Sequence, residues 1–182
     1  MFMTSMDSFE APRRGRGELV LYLDFDGVLH HENCLYHPRK GPYLCAPAGH
    51  TLFQHVSLLQ ELLAPYPDVR IVLSTSWVRR YGFRRTARCL GPSLCARAIG
   101  TTFHTRMDEQ QFSALARGMQ VSGDVYRRRP RDWLALDDDE QGWPDGCRDK
   151  LVQTDGVMGI GEPEVMERIR ERLANMSHSN MA

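Results

Sequence analysis

Two carboxylates one residue apart, Asp24 and Asp26, stand at the end of an apolar run in the segment Glu18-Leu-Val-Leu-Tyr-Leu-Asp-Phe-Asp-Gly-Val-Leu29. Clustered carboxylates repel one another unless a cation or a proton joins them. Folding alone explains such a pair poorly. Mg²⁺ is the cation that suits it, because it prefers carboxylate oxygen and brings a phosphate with it. A second cluster, Asp137-Asp138-Asp139, follows the run Trp133-Leu-Ala-Leu136. One or two of its members should ligate a cation for the same reason. The bland reading of either cluster is a solvated acidic turn.

The elements around these acids decide between the readings. Leu19 to Leu23 is uninterrupted apolar and aromatic sequence, which predicts a strand over 18–24 buried on both faces of a parallel sheet. Gly27 lets the chain turn away after the acids. In open α/β sheets, ligands bind beyond the carboxyl ends of the strands. Val69 to Leu73 predicts a second buried strand, ending at Ser74-Thr75-Ser76-Trp77. Shorter strands are expected at Ala98–Thr102, Asp132–Leu136 and Leu151–Thr154. Helices are expected over 52–63, over 78–97 with an interruption at Gly91-Pro92, over 108–128 with a weak point at Ser122-Gly123, and from Glu162-Pro163 to Ala174. Strand and helix alternate, which argues for right-handed βαβ units and a parallel sheet with helices on both faces. Residues 30–48 contain Pro38, Gly41, Pro42 and Pro47 and no period, so they read as a loop or small flap. Polar tails are expected at 1–17 and 175–182, leaving one domain over 18–174.

The apolar strand followed by Asp24-Phe-Asp26-Gly27-Val28-Leu29 resembles the nucleophile motif of the haloacid dehalogenase (HAD) superfamily of phosphohydrolases. The resemblance implies a Rossmann-like α/β fold, Asp24 as the nucleophile that attacks phosphorus and Asp26 as the general acid/base. The second Asp favours phosphate chemistry over carbon–halogen cleavage. A metal-binding Asp-x-Asp of the glycosyltransferase type is the competing reading, but it sits well inside a larger nucleotide-binding domain rather than on a first strand. The resemblance also implies three further parts. Ser74, with Thr75 and Ser76 as alternatives, fits the hydroxyl that donates to a phosphoryl oxygen; its structural alternative is a helix N-cap. Arg117, with Arg106, Arg127, Arg128, Arg129 and Arg131 as rivals, fits the phosphate-stabilising cation. Asp137 fits the metal ligand, with Asp138 as a second or water-mediated partner, and Asp139 and Glu140 solvated. Mg²⁺ would be held by Asp24, Asp137 and the Asp26 backbone carbonyl. Together with Leu-Ser-Thr-Ser-Trp and Trp-Leu-Ala-Leu-Asp-Asp, these parts look like the compact HAD domains in or near bacterial Swiss Army Knife RNA-repair proteins. The match covers about 18–173, with 30–48 as a minimal cap.

The implied activity is Mg²⁺-dependent phosphate hydrolysis through an aspartyl-phosphate. The expected substrate is a phosphorylated one, a nucleotide or a nucleic-acid end such as RNA. The alternative is a HAD-fold nucleic-acid-binding or repair accessory protein with weak or no catalysis, whose protein partner supplies specificity. Composition narrows the surroundings. The 182 residues carry a net charge of +0, so no global field draws the chain to nucleic acid or membrane. No apolar run approaches the roughly 20 residues that span a bilayer, and the N-terminus lacks the apolar core of a signal peptide. Five cysteines without a CxxC pair fit a reducing, cytoplasmic setting. His30, His31, Cys34, His37 and Cys45 match no compact zinc spacing, and His30 or His31 could face the active site instead. Arg79, Arg80, Arg84, Arg85 and Arg88 have helical spacing and could track a phosphodiester backbone, although a solvated face is the commoner outcome. Trp77 and Trp143 could stack a base or simply fill a core.

Overall fold

The computed structural model describes residues 14–178; residues 1–13 and 179–182, the outer parts of the expected tails, lie outside it. Five strands form one parallel sheet: β1 (Leu19–Leu23), β4 (Val69–Leu73), β5 (Ala98–Thr101), β6 (Asp132–Asp137) and β7 (Leu151–Gln153), in the order β5-β4-β1-β6-β7. The first and most apolar strand is therefore central, with β4 and β6 as its neighbours. Its side chains alternate between two cores, as the period of a strand demands. Leu19, Leu21 and Leu23 enter the larger core with α1 (Val56–Leu63), α3 (Gly91–Arg97) and α6 (Pro163–His178). Val20 and Tyr22 enter the smaller one with Val121 of α5 (Arg117–Arg128), Trp133 and Trp143. Helices cover both faces, as an all-parallel sheet requires. Burying each such side chain is worth about 1.5–3 kcal/mol.

The flap region 30–48 holds an antiparallel hairpin, β2 (Cys34–His37) with β3 (Gly41–Leu44), turning through Pro38-Arg39-Lys40. Leu35, Tyr36 and Tyr43 on it are exposed.

Four helical expectations shift. Residues 52–55 are not helical; Phe53 adopts a positive φ of 59° and its ring packs against Phe25, His30 and Trp77. Helix α2 (Trp77–Arg88) is kinked at Gly82, with φ 72°. The 108–128 stretch breaks at Leu115-Ala116, between α4 (Glu109–Ala114) and α5, rather than at Ser122-Gly123. Just beyond that break, Gly118 in the first turn of α5 packs closely on another segment: its N–H donates to Gln141 O (2.9 Å), and a Cβ there would lie 2.4 Å from Trp143 N. Gly123 meets only the Arg127 side chain and the helix runs through it. Helix α6 continues to His178, four residues beyond the expected Ala174, because Met176 extends the buried row Val165, Ile169, Leu173. The first part of the expected C-terminal tail is thus helical. At the other end, residues 14–17 are tied down by hydrogen bonds from Gly17 N to Arg129 O and from Arg128 to Arg14 O. No helix among the described residues is long and apolar enough to cross a membrane.

Candidate active site

Register brings the acids together. Leu23 pairs with Leu73 on one side and with Leu136 on the other. The next residues, Asp24, Ser74 and Asp137, therefore emerge level at the carboxyl edge of three adjacent strands. Asp24 N donates to Leu136 O (3.1 Å) and Ser74 N to Leu23 O (2.8 Å), which locks that level. Gly27 then turns the chain with φ 70°, and a Cβ on it would lie 2.2 Å from Asp138 Oδ2. Only glycine allows the loop after β1 to approach the second acidic cluster so closely.

Asp24 is 2% exposed. Its Oδ1 accepts from Phe25 N (2.7 Å) and its Oδ2 from Arg117 Nη2 (2.8 Å). The same guanidinium places Nε 3.3 Å from Asp137 Oδ2 and donates through Nη1 to Ser74 O. Arg117 can span these acceptors because it opens α5, where the break at Leu115-Ala116 aims the first residue at the sheet edge. Burial pushes its pKa down, but Asp24 and Asp137 outweigh that and hold it above the ordinary value. The rival arginines lie elsewhere: Arg127 and Arg128 pair with Asp124, and Arg129 caps α5 in a left-handed conformation. Arg106 lines a separate cavity with His104 and Arg14.

Carboxylate oxygens of Asp24, Asp137 and Asp138 lie within 4.8 Å of one another. Burial raises the pKa of Asp24 and, more strongly, of Asp137, and the neighbouring carboxylates add to it against Arg117. Asp138 is pushed up to about 6 by burial and then by Asp24. Three clustered acids with one guanidinium between two of them remain under-compensated. An all-oxygen donor set of this kind fits Mg²⁺. Asp139 does not join it: its Oδ1 accepts from Gln141 N (2.8 Å) and its N–H donates to Asp137 Oδ1 (3.1 Å).

This electrostatic cost gives a pH signature. An unfolded Asp titrates near its ordinary value of about 4, whereas folded Asp138 holds its proton up to about 6. Below the lower value both states are protonated and nothing is lost; as pH rises through the higher one the folded state must carry the charge, and stability falls. In metal-free protein, the melting temperature of Asp138→Asn should overtake that of the wild type progressively from pH 4 to pH 7, and Mg²⁺ should close the gap from the wild-type side. A gap independent of pH would remove Asp138 from the charged cluster.

Asp26 has a different set of partners. Trp77 Nε1 donates to both its oxygens (3.0 and 3.2 Å), and His30 Nε2 lies 3.0 Å from Oδ1. His30 is fully buried and its Nδ1 accepts from Phe53 N (3.3 Å). The ring proton therefore sits on Nε2 and is donated to Asp26. Two rigid donors fix the orientation of this carboxylate. With Asp26 as the acid/base that the sequence resemblance implies, replacing His30 with Phe should lower turnover by up to about 100-fold, the scale of a misplaced catalytic group. The loss should be larger for alkyl than for nitrophenyl phosphates, because a poor leaving group depends more on its proton. His30→Gln, which keeps a donor, should lose less; an equal loss on all leaving groups would show that His30 only supports the fold.

Of the zinc candidates, only His30 and Cys34 come together, with Asp26. Burial, and then Asp26, push the Cys34 thiol up to about 12, away from the thiolate that zinc binds. His31 packs on His50, His37 accepts from backbone N–H groups in the hairpin turn, and Cys45 is exposed. The Ser74 hydroxyl is buried without a hydrogen-bond partner, whereas Thr75 hydrogen-bonds the Asp24 carboxylate and lowers its pKa. Thr75, Ser76, Arg79, Arg117 and Asp139 line an open cavity of about 400 Å³. Thr75 thus faces Asp24, while Ser74 keeps an unpartnered hydroxyl at the same strand end. Trp143 stacks on Trp133 in the smaller core, with Nε1 bonded to Asp139 O, so it faces no site.

No curated protein and no solved structure matches the chain. Residues 20–165 match the family described as the HAD domain in Swiss Army Knife RNA repair proteins. That span takes in nearly all of β1, the strand ends that carry Asp24, Ser74 and Asp137, and Arg117, and the chain belongs to this family of HAD domains.

Proposed function

We propose that the chain is a Mg²⁺-dependent phosphohydrolase that works through an aspartyl-phosphate. The observation that carries this reading is the division of labour between two carboxylates on one strand end. Asp24 lies in the acidic cluster with Arg117, and Asp26 lies apart, held by Trp77 and His30. Asp24 attacks phosphorus in line and the leaving oxygen departs with a proton from Asp26; Asp26 then takes a proton from water as that water attacks the phosphoryl group on Asp24. Arg117 and the hydroxyl of Ser74 or Thr75 hold phosphoryl oxygens where charge builds. Asp24, Asp137 and Asp138, with the Asp26 carbonyl, would hold the ion. Mg²⁺, when bound, lets an anionic nucleophile and an anionic phosphate share the site.

The cap is a single two-stranded hairpin, which suits substrates too large to be enclosed. Membership of a family named for RNA repair proteins supports a phosphorylated nucleotide or nucleic-acid end as the substrate. The second reading, a nucleic-acid-binding or accessory domain with a silent site, draws on the exposed arginines of α2.

A screen of phosphomonoesters with Mg²⁺ and with EDTA separates the two. Hydrolysis that EDTA abolishes supports the enzyme. Activity that survives full chelation removes the metal, and no activity on any ester leaves the accessory reading. In the active protein, Asp137→Ala should raise the Mg²⁺ concentration for half-maximal rate far more than Asp139→Ala. The reverse order would mean that the register of the acidic cluster is misassigned.

A further inference from the structure

A second cavity, of about 240 Å³, meets the Arg117 cavity at Ser76, which lines both, and its walls include Asp26, Cys34, Tyr36, Trp77, Arg80 and Tyr81. Asp26 opens into this cavity and Arg117 into the first. In phosphoryl transfer the nucleophile and the leaving oxygen stand roughly in line on opposite sides of phosphorus. The group that protonates the leaving oxygen must be within hydrogen-bond reach of it. The cavity that holds Asp26 is therefore the leaving-group side.

Its chemistry is specific. Tyr81 packs against Trp77 (5.5 Å between centroids) and Tyr36 (6.2 Å), and the Arg80 guanidinium carbon sits 4.1 Å from the Tyr36 ring centroid. Core filling does not explain Tyr36, which is 41% exposed on the hairpin beside exposed Leu35 and Tyr43. The Tyr81 hydroxyl is buried without a hydrogen-bond partner, a state that a ligand donor or acceptor would relieve. Aromatic rings with a stacked guanidinium are the surfaces on which nucleic-acid bases lie. The volume is below the roughly 300–1,000 Å³ of sites that enclose a drug-sized ligand, so it seats one ring system and leaves the rest of the substrate outside.

We propose that this cavity binds the base of a nucleoside leaving group, with Tyr36, Tyr81 and Arg80 setting the preference for nucleotides over sugar phosphates. The proposal rests on the assignment of Asp24 and Asp26 as nucleophile and acid. A free nucleotide and a strand end share this chemistry. The strand end has further support on the surface, since Arg84, Arg85 and Arg88 continue exposed along α2 beyond Arg80.

The test compares adenosine 3′- and 5′-monophosphate with ribose 5-phosphate, phosphotyrosine and a 5′-phosphorylated oligoadenylate, with Mg²⁺, in wild type, Tyr36→Ala and Tyr36→Phe. A stacked base contributes enough to change affinity by about fivefold to a hundredfold. A nucleoside monophosphate should therefore exceed ribose 5-phosphate in kcat/KM by at least about fivefold. Tyr36→Ala should collapse that ratio and Tyr36→Phe should keep it. Binding of the same pair to Asp24→Asn, followed by tryptophan fluorescence, reads base recognition without turnover. Base-dependent binding without hydrolysis by the wild type would keep the cavity and sink the phosphatase; hydrolysis without base preference would do the opposite. A preference for phosphotyrosine would replace the nucleoside with an aryl group and overturn the proposal. If the source is a strand end, the oligonucleotide binds more tightly than the mononucleotide, and its affinity falls by about 0.7 log units per log unit of salt for each phosphate neutralised. Equal, salt-insensitive binding of the two assigns the free nucleotide.

Discussion

Asp24→Asn should abolish turnover and leave the fold intact, with a metal-free melting temperature equal to or above that of the wild type. The two halves of this result have separate causes. The amide is nearly isosteric and its oxygen can still accept from Phe25 N, but it cannot form the aspartyl-phosphate. Loss of the nucleophile in a covalent mechanism costs up to about 10⁶-fold in rate. Stability moves the other way because Asp24 is buried among acids: its charge is the largest influence after burial that raises Asp137, and burial followed by Asp24 raises Asp138. Removing it relieves both. The loss of its ion pair with Arg117 offsets part of this relief, and Arg117 keeps Asp137 as a partner. Steady-state rates, thermal melts and trapping of labelled phosphoprotein are the measurements. A variant with wild-type rate would show that another residue attacks phosphorus. A large drop in melting temperature would show that the Asp24–Arg117 pair holds the fold more than the acids strain it.

The strands that carry the site residues are legible because a strand buried on both faces must be continuously apolar. Leu19–Leu23, Val69–Leu73 and Trp133–Leu136 have no other simple reading, and their ends locate Asp24, Ser74 and Asp137 within one residue. The level register of those ends is what converts spacing into a site. What a strand end does not reveal is which hydroxyl points inward. Ser74 directly follows the apolar run and keeps an unpartnered hydroxyl, while the contact with Asp24 comes from Thr75. The break before α5 is hidden for a related reason. Ser122-Gly123 is the weaker local sequence, but the helix is interrupted at Leu115-Ala116, next to the close packing of Gly118 on Gly142 and Trp143, a contact between distant segments. Of the two donors on Asp26, one is local and one is not. His30 follows Asp26 by one turn, and Trp77 arrives from β4–α2, so only the fold shows that both rings converge on one carboxylate.

Arg117→Met should damage the protein in two measurable ways that vary differently with pH. Its guanidinium contacts Asp24, Asp137 and the Ser74 carbonyl at once. Removing one partner of a buried ion pair costs about 3–5 kcal/mol, since the remaining charge stays buried. In a domain of this size that is worth about 2–4 °C per kcal/mol. Protonation of the orphaned acids reduces the loss. Burial already raises Asp24 and Asp137, and Arg117 is what opposes that rise; without it they hold protons to higher pH. The deficit in melting temperature should therefore be large at pH 8 and shrink toward pH 5, because a protonated acid no longer misses its cation. Mg²⁺ should restore part of it at pH 8 by supplying charge to the same carboxylates. Turnover should not recover in the same way. Removing one donor to the charge of a transition state costs about 10²–10³-fold, and an ion bound at Asp24, Asp137 and Asp138 does not replace a donor on the opposite phosphoryl oxygens. Arg117→Lys separates the contributions further: a single ammonium can neutralise the acids but cannot span three acceptors, so it should regain stability before it regains rate. A Met variant that melts and turns over like the wild type would remove Arg117 from both roles. A stability deficit that grows toward low pH would mean that its contacts with Asp24 and Asp137 are not what hold the site together.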